Sequence, residues 1–202
     1  MKSTLLQKKY LKDLKFISKL LKKYNPFVFY GTLLGLTRER NLIIGDDDID
    51  VLIDIKNKKE VILKLSKIKG FKLNKKISNK YFVQFIHNQN KISTLIDFYF
   101  YINKKNVNYI VDKHNWLSTI NSKNHEIHIP KKFLFPLKKD KDFPEIFFPK
   151  EREKLCKFLY GSSWRSSLKK NTGYRMEIVN NKPKLIKRSL LGSLTRTIKS
   201  YF

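Results

Sequence analysis

Two stretches decide the reading: Tyr30-Gly31-Thr32-Leu33-Leu34-Gly35-Leu36-Thr37-Arg38 and, a few residues on, Asp46-Asp47-Asp48-Ile49-Asp50-Val51-Leu52-Ile53-Asp54. The first follows the apolar run Phe27-Val28-Phe29, so a short buried strand enters a tight turn at Gly31-Thr32. A short helix is expected to open at Thr32 and run toward Arg38. The second stretch interleaves acids with Ile, Val and Leu and predicts a strand over 48–55. Asp46, Asp48 and Asp50 lie two apart, so a strand would present their carboxylates on one face while Asp47 and Ile49 point the other way.

Such crowding has a cost. Two carboxylates about 5 Å apart repel by roughly 3 kcal/mol at an effective dielectric near 20, which favours a cation between them. Hard divalent ions with oxygen ligands, Mg²⁺ or Mn²⁺, suit the donors. An EF-hand loop is excluded, because Val51 stands where that loop needs Gly and Asn57 where it needs Glu. The plainer alternative is a solvated acidic turn paired with Arg38 and Arg40. It accounts for the charge but not for the apolar residues that embed the acids.

Farther along, Asp97 is an isolated acid in Leu95-Ile96-Asp97-Phe98-Tyr99. Burying it without a partner is costly, so it is either a third carboxylate of the same centre or a strand-end residue facing water. Gly31-Thr32 would form a phosphate cradle: Gly allows close approach, and the N–H groups opening the helix face an anion.

The acids are scarce. The 202-residue chain has 44 Lys plus Arg against 17 Asp plus Glu, a net charge of +27, and five of those acids fall within residues 46–54. The excess raises nucleic acid as a partner. Lysine pairs scattered from Lys8-Lys9 to Lys169-Lys170, together with abundant Asn and Ile, fit a residue-usage bias and a solvated surface better. Nucleic acid is therefore disfavoured, with anionic membrane or phosphorylated substrates as competing uses of the field.

The length suits one domain. At 41% hydrophobic and 13% aromatic residues the chain is too apolar for a disordered basic tail. The sequence shows neither a spanning run nor a leader pattern, and a cytoplasmic protein is expected. Cys156 is a single cysteine, so an intrachain disulfide is excluded.

Around the two motifs, apolar spacing predicts a helix over 5–24 and another over 58–68. Residues 81–86 and 92–101 read as a hairpin about a polar turn at His87-Asn88-Gln89-Asn90. The mixture indicates an α+β fold with a central mixed sheet flanked by helices. After residue 111, Pro130, Pro136, Pro144 and Pro149 exclude a long helix, and the aromatic segment is expected to wrap the core. A helix over 151–160 ends at Gly161. Residues 184–202 have the spacing of a basic amphipathic helix, suited to an anionic membrane or to docking on the core. Trp164 and Tyr174, near several cations, are candidates to stack a base or contact a quaternary ammonium, or else to pack. His125 and His128 flank Glu126 and read as surface or hydrogen-bonded residues.

The block from Tyr30 to Arg38, Ile43, and Asp46 to Val51 resembles the signature of the LicD family, which includes bacterial phosphocholine transferases and fukutin-related proteins. Phe135-Pro136-Leu137, Phe148-Pro149, Leu159-Tyr160-Gly161 and Trp164 are similar to its C-terminal aromatic-proline segment. Ile44-Gly45 departs from the family's usual Pro-Trp. The resemblance implies a single nucleotidyltransferase-like domain over 1–202: a core over 1–110, the family's C-terminal segment over 111–180, and the tail. It implies transfer of a phosphorylated alcohol from a CDP-linked donor to a hydroxyl of a glycan or glycolipid. Asp48 and Asp50 would then be the metal-binding pair, Asp97 the third carboxylate as ligand or general base, and Asp46 a further ligand, with two Mg²⁺ or Mn²⁺ ions. Gly31, Thr32, Arg38 and Trp164 would contact phosphate or nucleotide. The rivals are a nucleotidyltransferase acting on a small molecule, protein or RNA, and a non-catalytic basic RNA-binding protein.

Overall fold

The computed structural model describes residues 4–89, 92–114, 126–166 and 174–187. Its centre is a five-stranded mixed sheet in the order β1-β2-β5-β4-β3. These strands are β1 (Phe27–Val28), β2 (Asp48–Asp54), β3 (Phe71–Leu73), β4 (Phe82–Gln89) and β5 (Ile92–Tyr101). Only β2 and β5 run parallel, with Asp50 opposite Asp97; the other pairs are antiparallel. The fold is α+β.

Helix α1 (Leu5–Leu20) begins at a capping box in which Thr4 and Gln7 satisfy each other's backbone N–H groups. Its buried stripe, Tyr10, Leu14 and Ile17, packs on the sheet. On this face Ile49, Val51 and Ile53 of β2 and Ile96, Phe98 and Phe100 of β5 form the core. Lys9 is no surface lysine: its side chain is 10% exposed, and its ammonium bonds the buried Asp13 carboxylate at 2.6 Å and the Thr94 hydroxyl at 2.8 Å. A buried carboxylate needs that cation.

The opposite face carries Asp48, Asp50, Asp97 and Tyr99 and is covered by α2 (Tyr30–Arg38), which packs in turn against α5 (Arg152–Tyr160). Helix α3 (Lys58–Ser66) links β2 to β3. The proline-spaced segment forms β6 (Tyr109–Asp112) with β7 (Ile127–Pro130), a short helix α4 (Lys131–Leu134), and the hairpin β8 (Lys138–Asp140) with β9 (Phe143–Phe148).

Three expectations are corrected. Helix α2 starts at Tyr30, two residues before Thr32, because the Phe29 N–H is already held by the Asp50 carbonyl at 3.1 Å and the chain turns there. Residues His87–Gln89 are strand and not turn, since their backbones pair with Thr94, Ser93 and Ile92 whatever their side-chain polarity. Residues 184–187 are not helical. They belong to β11 (Lys182–Lys187), paired with β10 (Tyr174–Val179) through Asn180 and Asn181, both at positive φ (51° and 58°). That turn geometry matches the twist of a hairpin and admits Asn; the Asn-Asn pair was the overlooked signal. The rest of the expected tail helix, and His125, lie outside the described residues. Among the described residues no helix is long and apolar enough to cross a membrane.

Candidate functional site

The parallel register between β2 and β5 creates the site. Asp50 and Asp97 are direct neighbours across the ladder, so their side chains emerge on one face. Carboxylate oxygens of Asp48, Asp50 and Asp97 lie within 4.8 Å of one another. A second group, Asp46, Asp47 and Asp48, meets the same limit and shares Asp48. The expected alternation of Asp47 away from its neighbours fails here. The strand begins only at Asp48, so the pleat does not govern the two residues before it.

Asp50 is the most constrained. The Thr32 hydroxyl accepts its backbone N–H at 2.8 Å, and the Thr32 N–H donates to its carboxylate at 3.2 Å. Thr32 is fully buried. Its N–H, the expected phosphate donor, is thus turned onto Asp50. Gly31 leaves the carboxylates room: a Cβ there would lie 2.7 Å from an Asp46 oxygen and 3.2 Å from an Asp50 oxygen. Asp97 is held by the Gln84 amide at 2.8 Å from the neighbouring strand.

Burial, then the neighbouring acids, raises every one of the four expected ligands above the ordinary carboxylate range. Asp46 and Asp97 are each pushed up to about 7, Gln84 working against the rise at Asp97. The chain has 44 Lys plus Arg. Yet among the described residues no lysine or arginine forms an ion pair with Asp46, Asp47, Asp48, Asp50 or Asp97. These donors, close together and without a protein counter-charge, fit hard divalent cations.

Arg38 is two turns along α2 from Gly31. Its guanidinium bonds Glu39 at 2.5 Å and the Trp164 carbonyl at 3.4 Å, so it ties α2 to the segment after α5. Trp164 is 4% exposed with the Arg165 guanidinium over its ring at 4.6 Å; it packs and offers no open face to a base. The side chain of Tyr174 is outside the described residues.

Several further residues surround the site without a role that the sequence assigns to them. Tyr30, at a left-handed φ of 35°, donates its hydroxyl to the buried Asp112, a carboxyl raised by burial to about 7. Tyr99 and Tyr160 lie in the field of Asp50, and Tyr10 in that of Asp47; burial first and those carboxylates next raise all three phenols. The Tyr10 hydroxyl also donates to the Asp47 carbonyl at 3.2 Å. Nothing in local spacing marks these residues, since each reaches the site from a different element. His128 stacks on Tyr109 and pairs with Glu126, away from the acids.

No curated protein matches the chain. Residues 24–149, which span both motifs and all of these aspartates, match the model of the LicD/FKTN/FKRP nucleotidyltransferase domain, and the chain belongs to that family.

Proposed function

We propose that this chain is a metal-dependent phosphotransferase that moves a phosphorylated alcohol, of phosphocholine or alditol-phosphate type, from a CDP-linked donor to a sugar hydroxyl of a surface polysaccharide or lipooligosaccharide. The observation that carries the metal reading is the set of five carboxylates that, among the described residues, have no lysine or arginine partner in a chain of net charge +27. Asp48, Asp50 and Asp97 would hold one Mg²⁺ or Mn²⁺ ion and Asp46, Asp47 and Asp48 a second, together supplying charge neutralisation for a diphosphate. The choice of donor and acceptor rests on the family alone.

The chain's own groups have distinct parts. Thr32 holds Asp50 in place, and Gly31, lacking a Cβ, leaves room for the carboxylates of Asp46 and Asp50. Asp97 has two alternative parts: it completes the metal set with Asp48 and Asp50, or, with those two holding the ion, it takes the proton of the acceptor hydroxyl. That oxygen forms its bond to the distal phosphorus as the bond from that phosphorus to the CMP oxygen breaks, in line, and CMP leaves.

The test is CMP release from a panel of CDP-alcohols with Mg²⁺ or Mn²⁺ and a glycan acceptor. Turnover that disappears in Asp48→Ala and Asp50→Ala supports the reading. Pyrophosphate release from nucleoside triphosphates, with none of CMP from CDP-alcohols, would replace it with nucleotidyl transfer on the same acids.

A further inference from the structure

The outward sides of α1 and α3 meet in one basic face. Lys19, Lys22 and Lys23, at and just past the end of α1, share a depression of about 470 Å³ with Lys64 of α3, lined as well by Leu20 and Phe147. Lys23 also reaches Glu60 of α3 at 3.5 Å. From there the exposed stripe of α1 runs back through Phe16, Lys12 and Lys8, and that of α3 on through Leu63 and Lys67, at three-and-four helical spacing. Residues 5–24 and 58–69 hold twelve lysines against two acids, Asp13 and Glu60, and Asp13 is buried on Lys9.

The acids that border this face are already engaged. Glu145 lies 3.9 Å from Lys15, and Asp54, buried in the adjoining depression, lies 3.7 Å from Lys56. Among the described residues Lys8, Lys12, Lys19, Lys22, Lys64 and Lys67 have no ion pair. Two large apolar side chains stand among these lysines, Phe16 at 43% and Leu63 at 53% exposure.

We infer that this face docks on an anionic lipid bilayer, with the ammonium groups at the headgroup phosphates and Phe16 and Leu63 in the interface below them. Like charges gathered in one depression repel and call for an anion. Lysine stems lie along apolar surface while their heads reach the charge, and hydrocarbon ringed by lysines is what the headgroup boundary takes in. A nucleic-acid strand would answer the lysines and leave Leu63 in water. The surface is distinct from the basic tail after residue 184. Because α1 packs on the sheet face opposite Asp50 and Asp97, the inference stands without the metal reading.

The experiment measures binding of the full chain, in EDTA, to vesicles of equal parts phosphatidylglycerol and phosphatidylcholine, beside pure phosphatidylcholine vesicles and a single-stranded oligonucleotide. A chain of +27 attracts any polyanion, so position is tested as well as charge. Lys19→Gln with Lys64→Gln should weaken vesicle binding about 30-fold. Lys104→Gln with Lys105→Gln, exposed between β5 and β6, should weaken it less than about threefold. Leu63→Gln should cost about tenfold with unchanged melting temperature, and Leu63→Trp should show a blue-shifted emission on the anionic vesicles. Asp50→Ala should bind vesicles as the wild type does, so that failure here and failure of the metal reading remain distinguishable. Equal effects from the two lysine pairs, wild-type binding by Leu63→Gln, or no blue shift in Leu63→Trp would overturn the inference. So would a dependence on Lys19 and Lys64 seen with the oligonucleotide and not with the vesicles, which would assign the face to nucleic acid.

Discussion

Thr32 and Asp50 hold each other twice. The threonine hydroxyl accepts the Asp50 backbone N–H at 2.8 Å, and the threonine N–H donates to the Asp50 carboxylate at 3.2 Å. Both residues are buried. The pair therefore fixes a charged group at the start of a strand by tying it to the first turn of α2. An expected phosphate contact becomes, in this fold, the support of a metal-ligand candidate.

Replacing Thr32 by Val keeps the shape and removes the hydroxyl, leaving a buried N–H unpaired. We expect a stability loss of about 1–3 kcal/mol in denaturant titration together with weaker Mn²⁺ binding by calorimetry. Thr32→Ser should restore both. Full Mn²⁺ affinity in Thr32→Val would show that Asp50 needs no such support.

Gly31→Ala places a methyl group 2.7 Å from an Asp46 oxygen. The carboxylate can swing aside, so the fold should survive with little change in melting temperature. The displaced ligands should lower metal affinity about tenfold. Adding Asp46→Ala relieves the crowding, and the double variant should bind no worse than Asp46→Ala alone.

The raised carboxylates give a pH dependence with a definite sign. Asp97 rises from an ordinary 3.8 to about 7 in the folded protein. Between those values the folded state holds more protons than the unfolded, so this group's contribution to stability falls as pH rises and is flat above about 7. In metal-free buffer, Asp97→Asn should therefore gain stability relative to wild type from pH 4 to 7. Mg²⁺ or Mn²⁺ should raise the wild-type melting temperature more at pH 8 than at pH 5, and Asp97→Asn should lose most of that increment. A metal increment that is independent of pH would contradict the assignment.

Tyr30→Phe strips the buried Asp112 of its phenolic donor. A cost of about 1–3 kcal/mol is expected. The Tyr30 bond lowers the Asp112 carboxyl, against the rise from burial. Its loss should extend the decline of stability with pH to higher values, which thermal melts at pH 6 to 9 would show.

Asp13→Ala tests the opposite kind of acid, one that already has its cation. It leaves the Lys9 ammonium buried without its partner, at an expected cost of about 3–5 kcal/mol. Mn²⁺ binding by the folded fraction should be unchanged, because Asp13 lies on the other face of the sheet from Asp50.

The division between sequence and fold is visible residue by residue. The spacing of Asp48 and Asp50 and the isolated Asp97 were legible because strand alternation and charge scarcity are local properties of the chain. By itself the sequence determined that acids are pooled within a strongly basic chain, that helices and strands alternate through its first half, and that its motifs resemble one family. The tertiary structure decided which acids meet. Placing Asp97 beside Asp50 needed the parallel pairing of β2 with β5 across intervening α3, β3 and β4, a non-local register that no short window encodes. It also decided that Trp164 packs, that Arg38 is engaged by Glu39, and that Asp47 joins its neighbours. The physical reason is that side-chain roles depend on burial and on the local path of the backbone as well as on spacing, whereas periodicity reports only which way a residue faces on a regular element.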